Sequence, residues 1–268
     1  MGLQEALAAV LTCEAELATL REDPARLRHR YGLSDAELAM MAGAPPAGFR
    51  ITRESVRRKL VLKVTAYLPA TVAELEARYP ELLEGFASST VRRPQWGERL
   101  TGSGEPEQLV AWIDGRAPVP LVDFARYELL CGQLAHDRQA AEAARKPAAT
   151  VPDDIEPALA PDRTGDEGTL PREVPGLSPT ARVAFFDHDV TAKVPPAHLP
   201  VRHTWILLQR QWGEPAVRIY RINDATAALL SCCDGHSSLR AIATTLRADL
   251  TEVVQMARKL ARQRVIDL

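Results

Sequence analysis

The chain has few of the residues that mark a secreted, metal-binding or membrane protein. It contains only four cysteines and no C-x-x-C pair, and the neighbours Cys232 and Cys233 are too close within one predicted helix to bridge each other. We therefore expect reduced, mostly buried thiols. The first residues lack a basic segment followed by an apolar core, and no apolar run approaches the ~18 residues of a membrane span. These absences favour a cytoplasmic protein.

An excess of either charge is also missing. The 33 Lys and Arg residues are balanced by 35 Asp and Glu residues, which gives a formal net charge of -2. This balance argues against a protein that coats nucleic acid through bulk charge, although it leaves room for a local basic face. With 268 residues, of which 46% are hydrophobic, the chain suits roughly two domains with packed cores.

Catalytic motifs are scarce as well. The six histidines lack the H-x-x-x-H or H-E-x-x-H spacing of a metal site, and no glycine-rich phosphate loop follows a predicted strand. The strongest titratable cluster is Asp187-His188-Asp189, in which strand alternation would place both carboxylates on one face, but a solvated strand end is the favoured interpretation. An enzyme that uses Asp187, His188 or Cys233 is the minor alternative. We expect no enzyme activity, and no catalytic residue, metal or cofactor in this chain.

Residues 1–145 have the periodicity of an all-helical domain. A helical hairpin with an added turn is predicted over 1–43, with one helix from Leu3 to Leu20, a second from Pro24 to Gly32, and a third after the capping box Ser34-Asp-Ala-Glu37. Further helices are predicted from about Thr52 until Pro69, from the capping box Thr71-Val-Ala-Glu74 to Tyr79, from Pro80 to Ala87, from Pro106 to Trp112, and from Leu121 to Ala144; a loop is predicted over Arg92–Gly97.

Glu128 is unusual among the apolar positions of the last of these helices. It follows Leu121 by seven residues and so lies nearly on the same inward face. An ionised carboxylate in that position needs a cationic partner or several hydrogen-bond donors. Arg57 or Arg58 is the expected cationic partner.

The composition changes abruptly over residues 146–179, which are rich in Pro, Gly, Asp and Glu. Seven prolines in this segment exclude a continuous helix, so we expect an extended linker between two domains. Strand character resumes at Ala181–Asp187.

Residues 180–268 have the plan of a winged helix, with three strands and three helices. The apolar runs His203–Arg210 and Ala216–Ile222 flank a Gly- and Pro-containing loop and predict a hairpin. Helices are predicted over Ala225–Cys233 with Asn223 as the N-cap, over Leu239–Leu246 with Ser237 or Ser238 as the N-cap, and over Leu250–Gln263. The predicted fold class is therefore α+β, with an all-helical domain followed by a winged-helix-like domain.

The strand Val217–Arg221 is the best candidate for a binding site. If it lies at the edge of the sheet, its unpaired N–H and C=O groups can accept an extended peptide as an added strand. The candidate peptide-binding residues are Val217, Arg218, Ile219, Tyr220 and Arg221, with Arg258 and Arg262 as further cations for an acidic peptide. For each arginine, an ordinary solvated face is the alternative.

A DNA-binding regulator is the rival function, because winged helices commonly bind DNA. A recognition helix needs polar side chains near its N-terminus that can reach base edges. Asp249, Thr251 and Glu252 are a poor set for that task, since two of the three would face phosphates with negative charge.

Two groups of residues resemble known families. Ile222–Gly235, followed by Leu239-Arg-Ala-Ile242, resembles the PqqD-like recognition element of ribosomal peptide natural-product biosynthesis, in which a strand precedes an Asn-led helix, an Asp-Gly pair and a second helix. Val56–Leu60, Tyr67–Pro69 and especially Pro120–Glu128 are similar to the HvfC-like family, whose label mentions DNA binding. Its members are partner proteins of multinuclear non-heme iron-dependent oxidative enzymes.

The resemblance implies a non-catalytic partner subunit in a heterodimer with an iron-dependent oxidase. Such a subunit binds the leader of a precursor peptide and presents its core for oxidation, with the iron held by the other protein. The matched residues Asp123, Arg126 and Glu128, together with Arg57 and Arg58, would form either the enzyme interface or an internal salt-bridge network. A membrane is not an expected partner, and nucleic acid is a disfavoured one.

Overall fold

The structure, a computed structural model, describes residues 2–88, 104–137, 140, 142, 174–210 and 216–268. Over these ranges the chain is mixed α+β, with twelve α-helices and a small three-stranded sheet in the C-terminal region. The predicted α+β class is confirmed at this level. The chain forms two compact units, Met1–Gly132 with Val190–Pro200, and Gln133–Asp189 with Val201–Leu268. The loops predicted at 92–97 and 211–215 lie outside the described residues, as does the linker before residue 174.

Nine helices precede the sheet in the described ranges. They are α1 (Leu3–Thr12), α2 (Glu14–Glu22), α3 (Pro24–Tyr31), α4 (Asp35–Ala42), α5 (Pro46–Thr65), α6 (Pro69–Arg78), α7 (Pro80–Ser88), α8 (Gly104–Ile113) and α9 (Val119–His136). None of the helices in the described ranges is long and apolar enough to cross a membrane.

The N-terminal hairpin differs from the prediction at one point. The structure breaks the expected first helix at Cys13, whose backbone is extended at φ -122° and ψ 122°. Glu14 and Glu16 then lie in the first turn of α2, where negative charge favours a helix start. The other predicted boundaries are confirmed, because Asp23 caps α3, Gly32 ends it in the left-handed region, and the Ser34–Glu37 capping box begins α4.

The larger core of the first unit lies among α5 to α9. Its fully buried side chains include Leu68, Leu75, Phe86, Leu109, Ile113 and Leu121. Gly132 allows α9 to approach the end of α5 closely, since a Cβ at this position would lie 2.7 Å from Cδ1 of Tyr67. The first unit also contains Val190–Pro200, in which Val190 and Leu199 are buried and Nε2 of His198 lies 2.6 Å from Nη1 of Arg78.

The two longest helices of this unit differ most from their predicted bounds. α5 begins at Pro46, before the predicted Thr52, with proline in the first turn, where no backbone N–H is needed. α9 ends at His136 and does not run continuously to Ala144, because Asp137 leaves the helix and its carboxylate accepts the backbone N–H of Ala140 at 3.2 Å.

The second unit contains the strands and three more helices. The strands are β1 (Gly176–Leu177), β2 (Ala181–His188), β3 (Val201–Arg210), β4 (Val217–Ile222) and β5 (Ile266–Asp267), and the helices are α10 (Asp224–Ser231), α11 (Leu239–Leu246) and α12 (Leu250–Arg262). β2, β3 and β4 form an antiparallel sheet in that order, whereas β1 pairs with β5. β1 falls within the predicted linker, so the last linker residues are part of this hydrogen-bonded unit.

Local side-chain caps set the helix starts of the second unit. Asn223 accepts the N–H of Thr226 at 2.9 Å, and Ser238 accepts the N–H of Ala241 at 3.2 Å. Asp249 caps α12 in the same way. Both predicted N-caps are confirmed, although α10 ends at Ser231 and not at Cys233. The core beneath these helices joins Leu229, Ile242, Val253, Ala257 and Leu260 to Leu207 of β3.

Candidate functional site

The strand β4 lies at an edge of the three-stranded sheet, as the binding hypothesis required. Its register pairs Gln209 with Arg218, Leu207 with Tyr220, and Trp205 with Ile222. Among the described strands, β4 has a neighbour on one side only. The other side of its backbone is therefore the place where an added strand could pair.

Alternation along the sheet identifies which backbone groups of β4 point outward. The N–H of Arg210 donates to the carbonyl oxygen of Thr180 at 2.8 Å, so the even-numbered residues of β3 direct their backbone groups toward β2. The odd-numbered residues, including Leu207 and Gln209, then bond to their partners on β4. Arg218, Tyr220 and Ile222 complete this inner ladder. The N–H and C=O groups of Val217, Ile219 and Arg221 consequently point away from the sheet.

The side chains of β4 divide between the two faces of the sheet. Tyr220 lies opposite Leu207, which belongs to the core beneath the helices, so Arg218 and Tyr220 share the helix-covered face. Val217 and Ile219 lie on the opposite face. Ile219 is 41% exposed and Tyr220 is 39% exposed, so β4 presents a large hydrophobic side chain on each face.

Arg221 does not point toward the open edge. Its Nη2 lies 2.8 Å from Oδ1 and 2.7 Å from Oδ2 of Asp189, a carboxylate that is almost fully buried. Because Asp189 follows β2, on the far side of β3, the guanidinium of Arg221 must reach across the sheet. Arg202 also faces Asp189, with its Nη1 3.9 Å from Oδ2. Arg221, predicted as a peptide contact, thus has an internal ion-pair partner, while its side chain remains 44% exposed.

The other predicted cations of the site have different surroundings. Arg218 is exposed on β4 and lies opposite the neutral Gln209. On α12, Arg258 is half-buried and Arg262 is exposed. Arg218 is thus the cation that β4 itself offers to a ligand.

The Asp187-His188-Asp189 cluster does not bring its two carboxylates together. A β-bulge interrupts the register between Phe186 and His188, so simple alternation no longer holds. Asp187 is exposed and lies 3.2 Å from Nδ1 of His203, whereas Asp189 is buried beside Arg221. The two carboxylates have separate partners, and the prediction that they share one face is wrong. Among the described residues, no group of His, Cys, Asp and Glu side chains could hold a metal ion.

Two of the four cysteines have thiol pKa values that are raised by burial. Cys233 is buried, and its Sγ donates to the carbonyl oxygen of Leu229 at 3.2 Å. Burial raises the pKa of Cys233 to about 11 and the pKa of Cys131 to about 11. Both groups are therefore thiols at neutral pH. Cys233 is buried as expected, although it follows α10, whereas Cys13, Cys131 and Cys232 are only partly buried.

Glu128 on α9 caps the N-terminus of α6. Its Oε1 accepts the N–H of Ala70 at 2.9 Å and its Oε2 accepts the N–H of Thr71 at 2.8 Å. These bonds satisfy two of the backbone donors that a helix start leaves free, and the helix dipole favours a negative charge there. The sequence predicted correctly that the Glu128 carboxylate needs several hydrogen-bond donors. The predicted capping box at Thr71–Glu74 is wrong, because α6 begins at Pro69.

The charge of Glu128 makes stability depend on pH. Burial raises the pKa of Glu128 above its usual value of 4.5, although the hydrogen bonds from Thr71 and Ala70 oppose the shift. Between the unfolded pKa and the raised folded pKa, the folded protein binds more protons than the unfolded chain. Its free energy of unfolding must therefore fall as the pH rises through that interval.

We expect a Glu128→Gln variant to lose this dependence, because an amide does not ionise. Urea unfolding from pH 4.5 upward, at the start of the interval, measures the slope in both proteins. The carboxyls of Glu37 and Asp234 have pKa values lowered by backbone hydrogen bonds and titrate below the interval. Equal slopes in the two proteins would show that Glu128 does not titrate differently in the folded state.

The other predicted interface residues form separate ion pairs. Arg57 pairs with Glu84 and not with Glu128, and Arg58 is exposed on α5. On α9, Nη2 of Arg126 lies 3.0 Å from Oδ2 of Asp114, and its Nη1 lies 3.5 Å from Oδ1 of the buried Asp123. The single network considered from the sequence is thus divided. Arg57 pairs with Glu84 on α7, whereas Arg126 contacts Asp114 and Asp123.

A surface groove in the first unit was not anticipated from the sequence. It has a volume of about 330 Å³, and its lining includes Glu14, Arg50, Arg53, Glu54, Arg57 and Glu84. Arg53 pairs with Glu14 and Arg57 with Glu84 across this lining. The alternating charges come from α2, α5 and α7, so only the folded unit brings them together.

Comparison with known proteins does not assign the chain to a family. No family model and no curated protein matches it. The similarity to HvfC-like and PqqD-like proteins therefore rests on the motifs quoted above.

Proposed function

We propose that the chain is a non-catalytic partner subunit that binds the leader of a precursor peptide along β4 and presents the core peptide to an iron-dependent peptide-modifying oxidase. The observation that carries the proposal is the edge position of β4, with the backbone groups of Val217, Ile219 and Arg221 directed outward. Main-chain pairing at such an edge supplies affinity, and pockets for alternate side chains supply specificity. The iron belongs to the oxidase in this proposal.

The second unit is proposed to be a winged-helix-like recognition element. The sequence that resembles PqqD-like proteins begins at the end of β4 and continues through α10, so the motif borders the open strand directly. Its Asn223 has the capping role that the pattern implies. The three-stranded sheet followed by three helices supports the same assignment.

The helical unit is proposed to contact the oxidase. The ion pair of Arg126 with Asp114 lies at the surface, where side-chain exposures of 48% and 58% make both groups accessible to a partner. Arg58 is exposed on α5 and is available for the same role. With the leader bound to one unit and the enzyme to the other, the reacting residue is delivered at a high effective concentration.

Size-exclusion chromatography with a candidate multinuclear non-heme iron oxidase and its precursor peptide tests the proposal. We expect a stable heterodimer, which binds the leader more tightly than the oxidase alone does. Arg58→Glu should weaken the heterodimer, whereas the same charge reversal at the exposed Arg240 of α11 should not. Elution of the two proteins as separate monomers would overturn the proposal.

A DNA-binding regulator is the second candidate, favoured by the basic residues Lys259 and Arg262 in the last turn of α12. At the other end of this helix, the carboxylate of Asp249 accepts the N–H groups of Thr251 and Glu252, at 2.8 and 3.2 Å. A carboxylate in this position occupies the donors that a phosphate would use and repels it. Binding that weakens steeply between ~50 and ~200 mM salt would favour DNA over a main-chain-paired peptide.

A further inference from the structure

We infer that the ligand of β4 is an extended peptide with alternating acidic and apolar side chains, in which Arg218 binds the acidic row and Ile219 packs against the apolar row. This inference rests on the proposed function, because it specifies what the same edge binds. It also implies that Arg221 does not bind the acidic side chains of the peptide.

The two rows follow from the pleat of the sheet. An added strand alternates in step with β4, so its side chains on the helix-covered face lie beside Arg218 and Tyr220. Its remaining side chains lie on the opposite face, beside Val217 and Ile219. Neighbouring residues of the peptide therefore lie on opposite faces of the sheet, and each face offers a different chemical environment.

The helix-covered row carries positive charge that is not neutralised within the sheet. Arg218 is exposed, lies opposite the uncharged Gln209, and forms no ion pair with any residue that the structure describes. The hydroxyl of Tyr220, on the same row, can also donate to a carboxylate. An aspartate or glutamate of the peptide satisfies both groups.

The opposite row is apolar because its only cation is already paired. Arg221 gives its guanidinium to both oxygens of Asp189, which lies beyond β3. The outer part of this row is then formed by Val217 and Ile219, and Ile219 is 41% exposed. A β-branched or other aliphatic side chain on the peptide would bury that surface.

Two fluorescein-labelled octapeptides test the inference, one with alternating glutamate and valine and one with alternating lysine and valine. They share length and backbone propensity and differ in the sign of their charge. In fluorescence anisotropy at low salt with the full chain, we expect the glutamate peptide to bind about fivefold more tightly or better. Arg218→Glu should reverse the preference, whereas Arg221→Gln should leave it unchanged within about twofold.

The outcomes separate the inference from the proposed function. Equal binding of both peptides, lost in each case when Ile219 is replaced by proline, would overturn the charge preference and leave edge pairing intact. Binding of neither peptide, or binding that the proline does not affect, would overturn edge pairing as well. Circular dichroism of each variant confirms that the sheet has folded.

Discussion

Glu128→Leu is expected to lower the free energy of unfolding of the first unit by about 3 kcal/mol, as two backbone donors lose their acceptor and leucine restores only apolar contact. The donors are the N–H groups of Ala70 and Thr71, which bond to Glu128 at 2.9 and 2.8 Å. Urea unfolding followed by circular dichroism measures the change. Glu128→Gln keeps an acceptor oxygen and should lose about half as much.

Glu84→Leu is the matched control for this substitution. Glu84 forms an ion pair with Arg57, and its side chain is 55% exposed. Exposed pairs of this kind contribute about 0.2–1 kcal/mol. If the Glu128 and Glu84 variants unfolded at the same urea concentration, the capping contact would have no special part in stability.

Ile219→Pro is expected to reduce binding of the glutamate–valine octapeptide about tenfold while the sheet stays folded. The N–H of Ile219 points outward, so proline at this position removes a donor available to the peptide but no bond of the ladder with β3. Anisotropy measures the affinity and thermal unfolding checks the fold. Ile219→Ala keeps the N–H group and should retain more of the affinity.

Tyr220→Pro is the paired control, since the N–H of Tyr220 faces β3 in the inner ladder. This variant should lose the β3–β4 pairing and unfold at a lower temperature. Arg258→Ala should lower affinity less than Ile219→Pro does. A folded Ile219→Pro protein with full affinity would place the peptide elsewhere on the surface.

Local sequence signals predicted the helix starts of the second unit well. The N-caps Asn223 and Ser238 satisfy donors only three residues away, so the information that sets each helix start is contained in the motif itself. Capping signals that act over three residues do not depend on tertiary packing.

Contacts between distant residues were not predictable in the same way. The periodicity of α9 showed that Glu128 needed partners, but those partners are N–H groups more than fifty residues earlier, at Ala70 and Thr71. The Thr71–Glu74 pattern looked like a complete local cap, and the packed carboxylate replaced it. Likewise, no spacing rule links Asp189 to Arg221, because a bulge and an intervening strand lie between them.

The segment Val190–Pro200 bears on how the protein can be divided for expression. It is inserted between β2 and β3 of the second unit, yet its buried side chains, Val190 and Leu199, belong to the packing of the first. A fragment that starts after the proline-rich segment would carry these two apolar residues without the helices that cover them. The fragment before it would lack them. We therefore expect each fragment to be less stable than the same unit in the full chain.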